Sequence, residues 1–169
     1  MIFFVHRPRQ LKAIERGFEN AISSGPLLGY PVLGADFELI NATIKNNTSD
    51  AIISTAMVQG IRKLLSEANA VLMEPMMSLV INSDPEVVPT LTNDILLQRR
   101  GQVLDRQDLK SMVVLTAQIP LSELKGYSTH LRVITSGKAF FGMEFSHYEP
   151  MDLINQNKAI FNVTGFSPS

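Results

Sequence analysis

The sequence predicts an α+β protein built in two halves. Two stretches of the first half repeat their apolar positions at helical steps of three and four, and later stretches alternate in the manner of strands. The second half then runs strand, helix, strand, strand, helix, strand. With 45% hydrophobic residues in 169, each half has the apolar side chains for a core of its own. Trp is absent and Met occurs eight times, so Leu, Ile, Val and Met are expected to fill those cores.

A short apolar strand is expected at residues 2–6. Pro8 then opens a helix with the stripe Leu11, Ile14, Phe18, Ala21 and Ile22, which Gly25-Pro26 ends. From Val32 onward, Phe37, Leu39 and Ala42 or Ile44 read as a strand that a turn at Asn46-Asn47 interrupts. Thr48-Ser49-Asp50 offers capping oxygens to a long helix. Its stripe is Ile52, Ile53, Met57, Ile61, Leu64, Leu65 and Ala68, and Asn69 closes it.

A domain boundary is placed near Glu74, giving units at 1–73 and 74–151, with 152–169 as a peripheral tail. Residues 76–81 alternate as a strand. Pro85-Glu86 starts a helix with the stripe Val88, Leu91, Ile95 and Leu96; Pro89 falls in its first turn and Gly101 stops it. Residues 103–105 and 112–119 pair as antiparallel strands across a polar turn at 106–110. A helix over 122–134, capped by Gly137, and a strand over 139–146 complete a ferredoxin-like βαββαβ sandwich, with both helices on one face of the sheet.

The charge balance excludes some partners. A formal net charge of -1 makes no global basic field, so any contact with RNA has to be a local patch. There is no Cys, and His6, His130 and His147 are scattered, so no metal site is expected. The apolar part of residues 1–8 is too short for a signal peptide, and no later apolar run reaches membrane-spanning length.

Catalytic motifs are missing as well. A phosphate cradle of the form Gly-x-x-x-x-Gly-Lys-Ser/Thr, a Gly-x-Ser-x-Gly elbow and a His-Glu-x-x-His pair do not occur, so no catalytic residue and no cofactor is expected in this chain. An acylphosphatase-like enzyme, the rival on a ferredoxin-like fold, needs a phosphate-cradling loop with a positioned Arg and Asn, and no such loop is read. What remains is cationic. Arg99-Arg100 ends a helix, where two positive charges complement the dipole and can also meet phosphate. Lys125, Arg132 and Lys138 surround Gly126-Tyr127-Ser128, whose Gly permits close approach and whose Tyr either stacks on a base or buries.

Four runs stand in the order and at roughly the spacing of elongation factor G: Gly25-Pro26-Leu27-Leu28-Gly29-Tyr30-Pro31-Val32, Glu74-Pro75-Met76-Met77, Arg99-Arg100-Gly101 and residues 120–128. Over about residues 8–151 the chain resembles the C-terminal part of that family: the second half of the fourth domain, a partial ribosomal protein S5-like unit, then the ferredoxin-like fifth domain. The resemblance implies a piece of a longer protein whose G domain, with its GTP and Mg, lies elsewhere. It implies the ribosome as partner, with the fourth domain toward the decoding region and the fifth at large-subunit RNA near the stalk base. Arg99, Arg100, Lys125, Tyr127, Ser128, Arg132 and Lys138 become the implied contacts to ribosomal RNA.

The tip loop of the fourth domain falls on Ile44-Lys45-Asn46-Asn47, with Ile44 where translocating members usually carry His. That departure, with Val71-Leu72-Met73-Glu74-Pro75 after the long helix, resembles the mitochondrial ribosome-recycling branch. The branch implies subunit splitting, the ribosome recycling factor as partner and the mitochondrial matrix as location, with no DNA and no membrane partner. A translocating or ribosome-protecting role is the alternative within the family.

Overall fold

The computed structural model describes residues 8–166, so the strand expected at 2–6 and His6 lie outside the described residues. Two compact units appear: the described residues through Leu72 together with those from Asp152 onward, and Met73–Met151.

In the first unit, α1 (Pro8–Ile22) meets α2 (Asp50–Glu67) through small residues. Ala13, Gly17 and Ala21 recur every four residues on the buried face of α1. A Cβ on Gly17 would lie 2.6 Å from the Ser54 carbonyl oxygen, so α2 rests almost on the α1 backbone. Ile14 and Ala21 of the expected stripe are buried, but the small Ala13 and Gly17 join them on that face, and Leu11 stays 45% exposed. Ser49 caps α2 by accepting a hydrogen bond from the Ile52 N–H, as its position suggests. Ile53, Ile61 and Leu65 are buried, while Ile52 and Leu64 face solvent.

The strand expected from Val32 does not form among the described residues. The Val32 N–H donates to the Ile22 carbonyl at 2.8 Å, and Phe37 meets Phe18 edge-on at 5.4 Å between ring centres. Val32, Phe37 and Ile44 dock on the helix pair while Leu39 stays exposed, and a strand exists only where a second backbone pairs with it. Gly25 closes the turn after α1 through space: its N–H donates to the Tyr30 carbonyl at 2.7 Å, and a Cβ would sit 2.9 Å from that oxygen.

Residues 152–169, expected as a peripheral tail, instead hold helix α5, Leu153–Thr164. Local caps outweigh its weak periodicity. Asp152 accepts from the Asn155 N–H at 2.9 Å, and Gly165, at φ 75°, donates to the Phe161 carbonyl at 2.8 Å. Gln156 is buried and accepts from the Leu72 N–H at 2.8 Å, which gives that side chain the partner its burial requires.

The second unit is one antiparallel sheet of β1 (Met73–Ser83), β2 (Gln102–Asp108), β3 (Val113–Pro120) and β4 (Ala139–Pro150), in the order β2-β3-β1-β4. That is the ferredoxin-like order. β1 pairs with both β3 and β4, and its ladder with β4 shifts register between Met76 and Met77. The pairing carries β1 and β4 beyond the expected 76–81 and 139–146. β2 and β3 close tighter than expected, with the Leu109 N–H donating to the Met112 carbonyl.

Between β1 and β2 the chain winds in three modes: a 3-10 turn at Pro85–Val87, α3 at Val88–Asn93 and a π turn at Asp94–Gln98. The helix expected over 122–134 is likewise split, into a 3-10 turn at Leu121–Leu124 and α4 at Tyr127–Ile134, because Lys125 is extended and Gly126 takes φ 73°. Alternate residues of the central strands, Leu79 and Ile81 with Leu115, Ala117 and Ile119, pack against Val88, Leu91, Ile95, Leu124, Tyr127 and Leu131. Burying each large apolar side chain of this set contributes about 1.5–3 kcal/mol.

Gly101 does not stop the helical run by its own conformation. Arg100 takes the left-handed φ of 50°, and Gly101 lets β3 come close: a Cβ there would lie 2.8 Å from the Gln118 carbonyl oxygen and from Ile119 Cγ1. Gly101→Ala is expected to destabilise the second unit by about 1–3 kcal/mol through overpacking. Urea unfolding followed on the amide signals of β3 measures it, and an unchanged midpoint would show that β3 yields freely.

Candidate nucleic-acid interface

Seven residues were the sequence-level candidates on the second unit, and the structure sorts them into three groups. Arg99 and Arg100 end the π turn and reach inward. Arg99 Nε donates to Asp94 Oδ2 at 2.9 Å, its Nη1 donates to the Glu123 carbonyl, and its guanidinium lies 4.4 Å from the centre of the Tyr127 ring. The Arg99 side chain is only 12% exposed. Asp94 also meets His130 Nε2 at 2.9 Å, so one buried carboxylate joins the π turn to α4.

Arg100 forks onto Glu74, with Nη1 and Nη2 each donating to one carboxylate oxygen at 2.9 Å, and its Nε donates to Glu123 Oε1 at 2.9 Å. Nη2 also reaches Ser122 Oγ at 3.2 Å. Hydrogen bonding to Glu74 above all, then to Glu123, pushes the guanidinium further above its ordinary range against the opposing cost of burial. These two arginines tie β1, the π turn and the 3-10 turn at Leu121–Leu124 together. That Glu74, Asp94 and Glu123 are their counter-ions was not read from the sequence, because each lies five or more positions away and only the fold brings it near.

Tyr127 forms the second group, alone. It is 1% exposed, tilted against Phe141 at 5.0 Å, and its hydroxyl has no hydrogen-bond partner among the described residues. No base can stack on it in this conformation. Burial, then the charge of Asp94, pushes its phenol up to about 12, with Arg99 acting the other way.

The third group faces solvent. Lys125 and Ser128 are exposed at the start of α4 and Arg132 in its last turn, and Ser128 and Arg132, four residues apart, share one helical face. Neither Lys125 nor Arg132 makes an ion pair among the described residues. Gly126 has nothing within 4 Å of where a Cβ would sit, so a partner's backbone can approach there. Lys138, also exposed, pairs with Glu86, which raises its ammonium above the ordinary value.

On the first unit, the loop Ile44-Lys45-Asn46-Asn47 closes through the Thr48 N–H donating to the Lys45 carbonyl at 3.1 Å. Ile44 packs against Ala13, Ile14 and Ile53, whereas Lys45, Asn46 and Asn47 are exposed. Among the described residues no cluster of His, Asp and Glu could hold a metal ion, and no helix is long and apolar enough to cross a membrane.

Comparison with known proteins adds the lineage. The family model for the elongation factor G C-terminus matches residues 71–159, and that for elongation factor G domain IV matches residues 5–69. The chain belongs to the elongation factor G family. It is 36% identical over 92% of its length to the mitochondrial ribosome-releasing factor 2 of Danio rerio. It is 37% identical over 82% of its length to elongation factor G 2 of Saccharophagus degradans, and 39% over 80% to elongation factor G of Alteromonas mediterranea. The chain spans about a fifth of each of these relatives, at 20% of their length. A crystal structure from Thermus thermophilus superposes with a TM-score of 0.85 and 27% identity, covering 96% of this chain and 25% of that one. The α+β architecture found here, helices and a four-stranded antiparallel sheet, matches that solved structure.

The buried phenol gives a pH-dependent outcome. Its folded pKa stands above the unfolded value of about 10, so its contribution to stability is complete below pH 10 and is lost as pH rises toward about 12. Tyr127→Phe is expected to remove that part of the slope. At pH 7 it should change stability by less than about 0.5 kcal/mol, because the hydroxyl has no hydrogen bond to lose. Urea midpoints at pH 7 and 10.5 for both proteins check it; a large loss at pH 7 would reveal a bond that the hydroxyl does make.

Proposed function

We propose that this chain is the ribosome-binding C-terminal module of a translational GTPase and that it serves ribosome recycling, splitting subunits with the recycling factor in the mitochondrial matrix. GTP and Mg belong, on this reading, to a G domain elsewhere in the longer protein. The observation that carries the recycling branch is Ile44: where translocating relatives usually place a tip His, this chain has an apolar side chain turned into the α1–α2 core. The loop then offers Lys45, Asn46 and Asn47. The match to a mitochondrial ribosome-releasing factor over 92% of the chain supports the same branch. A translocating role is the second reading, favoured by the 39% identity to a bacterial elongation factor G.

The contact itself is assigned to Lys125 and Arg132, with Ser128 between them as a hydrogen-bonding neighbour. Arg99 and Arg100 act behind that surface: they fix the 3-10 turn from which Lys125 projects. A stiff module of this kind passes on a movement generated by nucleotide hydrolysis elsewhere without chemistry of its own.

Co-sedimentation of the purified chain with isolated large ribosomal subunits across a salt series tests the assignment. Replacing Lys125 and Arg132 together by Ala is expected to weaken binding and to reduce the salt slope by roughly two. Binding of the double variant with the parent's affinity and slope would remove both residues from the interface.

A further inference from the structure

The cations read from sequence all lie on the second unit or at the tip loop, yet the first unit holds a denser cluster. Arg9, Lys12 and Arg16 project from α1 at steps of three and four, which sets them within one narrow stripe of the helix. With Pro8, Ala13 and Asp50 they line an open depression of about 360 Å³ where α1 passes the first turn of α2. Among the described residues three positive side chains there face one carboxylate. That carboxylate is engaged, since Arg9 Nε donates to both Asp50 oxygens, at 2.8 and 3.0 Å. Lys12 and Arg16 make no ion pair among the described residues; Glu15 and Glu19 stand on the same helix without reaching them. The first turn of α2, an 18-residue helix, adds the partial positive charge of its dipole on the side where Asp50 sits.

We propose that this depression binds the phosphate backbone of RNA, through Lys12 and Arg16, with Asp50 holding Arg9 in place as a third donor at the rim. The chemistry of the lining selects that ligand. Among the described residues no aromatic ring lines the depression to stack a base, and the apolar lining they give it comes from Pro8 and Ala13, which is too little to enclose a nucleotide or a cofactor. Lys12 and Arg16 stand about 6 Å apart along the helix axis, so they present two charges in a row to an extended polyanion. Recognition of this kind is indifferent to sequence and steep in salt. The proposal deepens the reading of the chain as an RNA-contacting module, but it places the contact on a different unit from Lys125 and Arg132.

The test needs no ribosome. The ¹⁵N-labelled full chain is titrated at constant ionic strength with a short RNA hairpin and, separately, with inorganic phosphate. Amide shifts from the hairpin are expected at residues 9–16 and 50–53, and Lys12→Ala with Arg16→Ala is expected to weaken hairpin binding at least tenfold and to flatten its salt slope by about two. Arg62→Ala with Lys63→Ala, removing two cations of α2 outside the depression, is expected to change binding less than threefold. Shifts centred elsewhere, equal losses in the two double variants, or binding of phosphate without the hairpin would each overturn the proposal. If hairpin binding persists while ribosome co-sedimentation fails, the ribosome reading falls and this site stands.

Discussion

The fork of Arg100 onto Glu74 is the interaction on which the second unit depends. Glu74 is the second residue of the sheet, its side chain is 7% exposed, and a carboxylate at that depth is tolerated only with its charge met and its oxygens hydrogen-bonded. Arg100 supplies both from a left-handed backbone position that costs a non-glycine residue about 1–3 kcal/mol. The same guanidinium holds Glu123, and its neighbour Arg99 holds Asp94 and the Glu123 carbonyl, so the start of β1, the end of the π turn and the segment before α4 are fixed as one piece. The break between the 3-10 turn and α4, at the extended Lys125 and the left-handed Gly126, lies directly after this anchored segment.

This arrangement changes what two adjacent arginines mean. In sequence, Arg99-Arg100 looks like an offer of positive charge to an anion; in the fold its positive charge is already met by Asp94, Glu74 and Glu123. The charge left for a partner is displaced to Lys125 and Arg132 around α4 and, on the other unit, to the stripe of α1. With a formal net charge of -1 the chain as a whole does not attract polyanions, so binding has to come from such local surplus. The arginines contribute rigidity beneath the surface, and the exposed cations contribute contact.

Much of the architecture was legible in the sequence. Alternation and period placed the four strands and two helical segments of the second unit, and the resemblance carried by Glu74-Pro75-Met76-Met77 and residues 120–128 agrees with the family matches. The misses share physical causes. The expected face of α1 included Ile14 and Ala21 but passed over Ala13 and Gly17, which the close crossing of α2 selects for their small size. The Val32 strand failed for want of a partner backbone, and α5 was overlooked because its evidence lies in the caps Asp152 and Gly165 and not in periodicity. Tyr127 was open between stacking and burial until the fold placed it under Arg99. The stripe Arg9, Lys12 and Arg16 was visible as spacing, but only the approach of α2 turns it into a depression.

A double-mutant cycle on Glu74 and Arg100, read by urea unfolding at pH 7, measures the central interaction most directly. The account expects either single replacement, Glu74→Gln or Arg100→Met, to be strongly destabilising and the pair to couple by more than about 1 kcal/mol, since each leaves the other's charge poorly satisfied. Additive effects, with a coupling near zero, would contradict it and show that the two side chains are held in place by their surroundings and not by each other.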